Sequence, residues 1–256
     1  MTEVPLKVAL DRHAALLRLR LARPKANIVD AAMIGALADA FAAHRYPGPL
    51  RAALIDAEGP HFSFGASVEE HLPEQCAAMI KGLHGLLLAM IEWPRPILVV
   101  VRGQCLGGGL ELALAGSQIF AAQDAQFGQP EMKLGVFAPA ASCLLPFRIN
   151  QPAAEDLLLS GRSVSADEAK ALGLVHGVYD DPEHAALDYF DKHLASKSAS
   201  SLGFAVRAAR VGMLHEVHRR IAAVEKLYLE GLMATHDAKE GLAAFLAKRP
   251  PAWEHH

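Results

Sequence analysis

Two glutamates stand where an acid is out of place by hydropathy. Glu111 lies among Leu and Ala in "GGGLELALAG", and Glu131 lies 20 residues further on in "QFGQPEMKLG". Burial in apolar surroundings raises a carboxyl pKa, and a second carboxyl nearby drives the two values apart. One such acid beside one such base is the equipment of proton transfer. Taken singly, each also reads as a capping or salt-bridge partner near a helix start. The sequence does not show that the two meet.

What precedes each acid sharpens the reading. "ILVVV" (97–101) is a continuous apolar run, as expected of a strand covered on both faces, and Gly107, Gly108 and Gly109 follow just before the Glu111 helix. A helix start exposes unpaired N–H groups with partial positive charge, and glycines let a ligand oxygen approach them closely. The alternative is a tight turn packed on a neighbour. Gly103 and Gly107–Gly109 do not fit a dinucleotide fingerprint, and no GK[ST] follows for a phosphate loop. A second loop, "HFSFGAS", also follows a buried strand, "RAALIDA", and carries Gly65–Ala66. Two loops of this kind can aim two backbone N–H groups at one carbonyl oxygen and stabilise negative charge there.

The elements that must position these groups follow from local pattern. "LKVALDRHAALLRLRL" reads as two strands around a turn at Asp11–His13. Asp30 is an N-cap for a helix reaching His44, and a longer helix runs from Glu70 to Glu92, stopped by "WPRP". Strand, loop, helix, strand, glycine turn, helix is an α/β order. From about His184 to Lys248 nearly everything favours helix, with a light break at Thr235–His236. The chain thus divides softly near residue 200.

Composition narrows the partners. The 256 residues carry a formal charge of -3, which gives no electrostatic reason to expect nucleic acid or an anionic membrane. Cys76, Cys105 and Cys143 are odd in number and scattered, so neither a disulfide framework nor a zinc site is indicated, and a reduced, cytoplasmic setting is expected. No leader-like or membrane-spanning run is apparent. His61, His71, His84 and His176 lack metal-ligand spacing and read as surface or packing residues, and Ser67 and Ser142 lack a nucleophile elbow.

In combination these segments resemble the crotonase, or enoyl-CoA hydratase/isomerase, superfamily. "FSFGAS" looks like its first oxyanion loop, "GQCLGGGLELA" like its second, and "AQFGQPEMKLG" like its second-glutamate segment. The likeness runs from "LRLARPKANIVD" to "EGLAAFLAKRPPAW". It implies an α/β fold: a crotonase-like spiral of ββα turns over residues 1–200 and a helical C-terminal trimerisation region over 201–256. It further implies homotrimers, often paired into homohexamers.

The implied substrate is an acyl-CoA thioester, with no metal and no cofactor beyond the coenzyme A it carries. Its carbonyl oxygen would accept from the N–H groups of Ala66 and Gly108, within loops completed by Gly65, Ser67 and Gly107. Glu111 and Glu131 match both catalytic glutamates of the hydratases, which favours adding water over isomerisation. Lys25, Ala26 and Phe64 match positions that line the CoA nucleotide, and Phe245 and Lys248 match C-terminal residues that reach CoA. Where simple hydratases carry a PGAGG-like run, this chain has "APAAS" from Ala138 to Ser142, preceded by Val136 and Phe137. That change implies a differently shaped apolar pocket, and the combined motifs resemble a branch of the family acting on a cyclic dienoyl thioester. A straight-chain enoyl-CoA hydratase or isomerase, or a non-catalytic RNA-binding member, are the alternatives.

Overall fold

The computed structural model describes residues 4–45 and 48–256. β1 (Leu6–Asp11) and β2 (Leu16–Leu21) form an antiparallel hairpin whose turn residues Arg12, His13 and Ala14 all take positive φ. The Asp30 side chain caps α1 (Ala31–Ala43) by accepting from the Met33 N–H, and β3 (Ala52–Ala57) follows. α2 spans Pro73–Glu92, a little shorter than the predicted helix. Pro73 fixes the first turn and forces extended backbone on Leu72, so Glu69–His71 is left as a separate 3-10 turn.

Next come β4 (Ile97–Val101), β5 (Gln104–Leu106) and α3 (Gly108–Leu114). They are followed by β6 (Gln118–Ala122), β7 (Gln126–Gly128) and α4 (Pro139–Leu144). The main sheet has six strands in the order β1-β2-β3-β4-β6-β9, with β9 at Gly177–Tyr179, and is parallel from β2 onward. A second, three-stranded sheet pairs β5, β7 and β8 (Ser163–Ser165), and Ser63 bridges to Cys105 at its edge. The chain therefore winds as long strand, short strand, helix, turn after turn. This is the expected ββα spiral. The short strands escaped the sequence reading because three residues carry no usable periodicity.

β4 shows why the spiral is stable. All five of its residues are buried: Ile97, Val99 and Val101 enter the principal core, while Leu98 and Val100 pack toward Ala186 and Phe190. Each fully buried side chain of this size is worth about 1.5–3 kcal/mol. Ala186 belongs to α7 (Pro182–Tyr189), which follows α5 (Gln151–Ser160) and α6 (Ala166–Ala171). The C-terminal part is α8 (Ala199–Lys226), packed on α2 and α4, and α9 (His236–Leu246), capped by Thr235 at the anticipated break. Cys76, Cys105 and Cys143 are buried and unpaired. Among the described residues no helix is long and apolar enough to cross a membrane.

Candidate active site

The first glycine turn is held by buried polar contacts. Asn27, fully buried, donates from Nδ2 to the carbonyls of Glu58 and His61 at 2.9 and 3.0 Å. Ser63 Oγ donates to the Asn27 carbonyl (2.8 Å) and accepts from the Gly65 N–H (3.0 Å), which ties the first turn to the Asn27 loop. Gly65 and Gly107 adopt φ of 107° and 51°, conformations that favour glycine. A Cβ on Gly108 would stand 3.1 Å from the Ala66 nitrogen, and one on Gly65 would stand 3.4 Å from the Gly108 nitrogen. The two turns thus meet backbone to backbone. Among the described residues, neither the Ala66 N–H nor the Gly108 N–H has a partner.

Glu111 sits on α3, every residue of which is buried. The C-terminal end of this short helix is held by Arg148, which donates to the carbonyls of Leu114 (3.0 Å), Gly116 and Ser117 (3.2 Å). A cation there also complements the helix dipole. Glu111 is 3% exposed, and its Oε1 accepts from the Ala141 N–H at 2.8 Å. Burial pushes its pKa up, while the N–H groups of Ala141 and Ala140 act in the opposite direction.

Glu131 lies in the 3-10 turn Pro130–Leu134, which is backed by α9 so closely that a Cβ on Gly241 would strike the Leu134 carbonyl. Burial, reinforced by repulsion from Glu111, pushes the Glu131 carboxyl up to about 8. The buried Gln129 amide, assigned in the orientation that satisfies its partners, places its nitrogen 3.0 Å from both Glu131 oxygens. It aims the carboxyl.

One cavity of about 690 Å³ collects the two acids and the two turns: Glu111, Glu131, Gly65, Ala66, Gly107 and Gly108 all line it. Ser67 and Phe245 line it as well. Its remaining wall is largely apolar, with Met79, Ile80 and Leu83 from α2 and Pro139 from α4. Phe64, 42% exposed, stands between this cavity and a shallower one of about 360 Å³ lined by Lys25, Ala26, Pro60 and His61. Ser67 shapes the following turn: its Oγ accepts from the Glu70 N–H (3.4 Å) and donates to Glu69 (3.1 Å).

Three anticipated residues lie elsewhere. Phe137 turns away to pack edge-on against Tyr228, with ring centroids 5.2 Å apart. Ala138 is 3% exposed beneath the surface, and Pro139 is the residue of that segment that faces the cavity. The cavity is therefore shaped here by Pro139 rather than by Phe137 and Ala138, because the turn into α4 rotates the two inward to the core. Lys248 is exposed at the end of α9 and lines neither cavity.

His84 and His71, expected to be surface or packing residues, both line the cavity. The available signal was helical spacing: His84 falls four residues after Ile80, on the same face of α2. Asn27, Gln129 and Arg148 gave no such signal, since nothing in their local sequence distinguishes them from loop polar residues.

Comparison with known proteins settles the family. The sequence pattern described as enoyl-CoA hydratase/isomerase matches residues 11–256. The chain belongs to that family. It is 63% identical over 250 residues to cyclohexa-1,5-dienecarbonyl-CoA hydratase of Thauera aromatica, covering 98% of this chain and 97% of the relative. It is 32% identical to carnitinyl-CoA dehydratase of Salmonella arizonae, over 96% of this chain and 98% of the relative. Among solved structures, an enoyl-CoA hydratase/isomerase from Pseudoalteromonas atlantica superposes with a TM-score of 0.84 at 30% identity, covering 97% of this chain and 99% of that one. An enoyl-CoA hydratase from Mycobacterium avium subsp. paratuberculosis gives 0.85 at 26% identity, over 97% and 98%. The crotonase fold anticipated from the family's motifs is the fold of this chain.

Proposed function

We propose that this enzyme adds water to a cyclic conjugated dienoyl-CoA, converting cyclohexa-1,5-diene-1-carboxyl-CoA to 6-hydroxycyclohex-1-ene-1-carboxyl-CoA during anaerobic aromatic degradation. The observation that carries the reading is the meeting of Glu111 and Glu131 in one largely apolar cavity beside two unpaired backbone N–H groups. The relative at 63% identity supplies the acyl group. The cavity volume suits a ring and its thioester within the usual range for small-molecule sites.

In this reading the thioester oxygen sits between the N–H groups of Ala66 and Gly108. Glu111, whose ionised form is favoured by the Ala141 N–H, takes a proton from water as the oxygen attacks the β-carbon. Charge flows onto the thioester oxygen as a dienolate, where the two N–H groups hold it. Glu131, protonated at neutral pH because its pKa stands near 8, delivers a proton to the far end of the dienolate. One water has then added in the 1,4 sense. Glu111 ends protonated and Glu131 ionised, so a proton returns between them before the next turnover.

Coenzyme A enters as part of the substrate, and no other cofactor is required by these steps. Lys25, Ala26 and Phe64 border the shallow cavity suited to the CoA nucleotide, and Phe245, half exposed on the wall of the larger cavity, is placed to reach the CoA moiety. Association into homotrimers or homohexamers through the C-terminal helices is supported by exposed apolar residues on that part of the chain, among them Phe204 and Val211 at 68% and 71%.

Incubation with the cyclic dienoyl-CoA and with crotonyl-CoA, with mass detection of one added water, tests the substrate. The cyclic diene should be hydrated with much the higher kcat/KM. Equal or faster turnover of crotonyl-CoA would replace this reading with a straight-chain hydratase.

A further inference from the structure

A polar group that the two-glutamate scheme does not use faces the same cavity. His84, on α2, is 1% exposed and lines the cavity together with Glu111. Its Nδ1 lies 2.7 Å from Oε1 of Glu225 near the end of α8. An ionised carboxylate only accepts, so this contact puts the ring hydrogen on Nδ1 and leaves the lone pair of a neutral ring on Nε2. Nε2 is buried and has no hydrogen-bond partner among the described residues. Leaving a buried polar atom unpaired is costly, and such atoms commonly mark a place where a ligand supplies the partner.

The chemistry narrows what that partner is. A lone pair asks for an O–H or N–H. The dienoyl thioester has neither near its ring, whereas the attacking water and the hydroxyl it becomes both have one. Water presents two hydrogens. Glu111 accepts the one that leaves, and a second acceptor is needed to aim the oxygen at the β-carbon.

We propose that His84, oriented by Glu225, is that second acceptor: its Nε2 holds the hydrogen that stays on the oxygen, first in water and then in the product alcohol. No bond to this hydrogen breaks, so His84 positions the nucleophile and exchanges no proton. The inference rests on the hydration reading above and adds a residue that recognises the hydroxylated state of the acyl group.

The test separates recognition of the hydroxyl from a packing role. In His84→Phe, kcat for the cyclic dienoyl-CoA should fall on the order of tenfold to a hundredfold, as for other losses of reactant orientation. KM for the diene should change less than about twofold, because the diene offers His84 no hydrogen, whereas one lost hydrogen bond should raise the product inhibition constant by the hydroxy thioester roughly two- to tenfold. His84→Gln keeps an acceptor and should recover part of kcat. Glu225→Gln, altered at a partly exposed position, should move both quantities in the same direction by less, and serves if His84→Phe does not fold. Equal weakening of diene and hydroxy product, or unchanged kcat and product inhibition in folded variants, overturns the proposal. If the wild-type enzyme hydrates no cyclic diene, the functional reading itself fails. Wild-type turnover with an indifferent His84 defeats this inference alone.

Discussion

The cavity has two walls built on different principles. One is backbone: Gly65, Ala66, Gly107 and Gly108 meet main chain to main chain, and a methyl group has almost nowhere to go. The other is side chain: Met79, Ile80, Leu83 and His84 project from one face of α2, and beside them Gly85 has nothing within 4 Å of where its Cβ would lie. A backbone wall fixes the position of charge-stabilising N–H groups regardless of side-chain chemistry. A helix-face wall fixes shape, and a change of side chain alters what fits. In the proposed hydration, geometry for the reaction would belong to the first wall and selectivity for the acyl group to the second.

The largest effects should come from the acids standing beside the backbone wall. Glu111→Gln and Glu131→Gln each remove a proton donor or acceptor while keeping volume, and each should lower kcat by about 10²–10⁴-fold. Full turnover by either variant would remove that glutamate from the chemistry. Gly107→Ala is the next test. The residue takes φ of 51°, and the new Cβ would lie 2.7 Å from Oε1 of Glu131. Misplacing the acid by about 1 Å should cost on the order of 10²-fold in kcat. Gly85→Ala, on the exposed surface of the opposing helix, should instead leave kcat unchanged and stabilise the protein by about 0.5–1 kcal/mol. If both glycine variants behave alike in activity and melting assays, the distinction between the walls is lost.

The same contrast explains what the sequence disclosed. The glycine turns and both acids stood out because a backbone wall needs residue types that are expensive anywhere else: three adjacent glycines, and a carboxyl among Leu and Ala. The β4 run and the Asp30 and Thr235 caps were equally plain, since each rests on local pattern. His84 was not, because a histidine on an amphipathic helix looks the same whether it meets core or cavity. Nor were the supports Asn27 and Arg148, whose side chains donate to carbonyls 31 or more residues away, or Gln129, whose partner lies two residues along a turn whose shape is set by α9. Phe137 and Ala138 were placed in the pocket by analogy of position, and the turn into α4 moved them out.

The acid's raised pKa offers a test of intermediate size. Glu131 titrates near 8 in the folded chain against an ordinary 4.5. The folded state thus holds this proton more tightly than the unfolded chain, so the associated stability is fully present below pH 4.5 and disappears as pH rises through 8. Glu131→Gln cannot ionise. Its melting temperature should therefore gain on wild type between pH 6 and pH 9, by several degrees at roughly 2–4 °C per kcal/mol. Wild-type turnover should fall over the same upper range as the acid loses its proton. Parallel melting curves for the two proteins from pH 6 to 9 would show that Glu131 is not held protonated by the fold.

The smallest expected effect lies at the outer rim, where neither principle dominates. Lys25 is exposed beside the shallow cavity and Phe64, so a phosphate there would gain only a screened ion pair, worth up to about 1 kcal/mol. Lys25→Ala should raise KM for the CoA thioester up to about fivefold with kcat unchanged, and the difference should shrink in high salt. Lys248→Ala makes the useful partner measurement, because Lys248 lines neither cavity within one chain. If KM rises there as well, and only in the assembled protein, the lysine reaches coenzyme A from a neighbouring subunit. If KM stays flat in both variants, affinity for the thioester resides in the two walls of the acyl cavity and the rim contributes none of it.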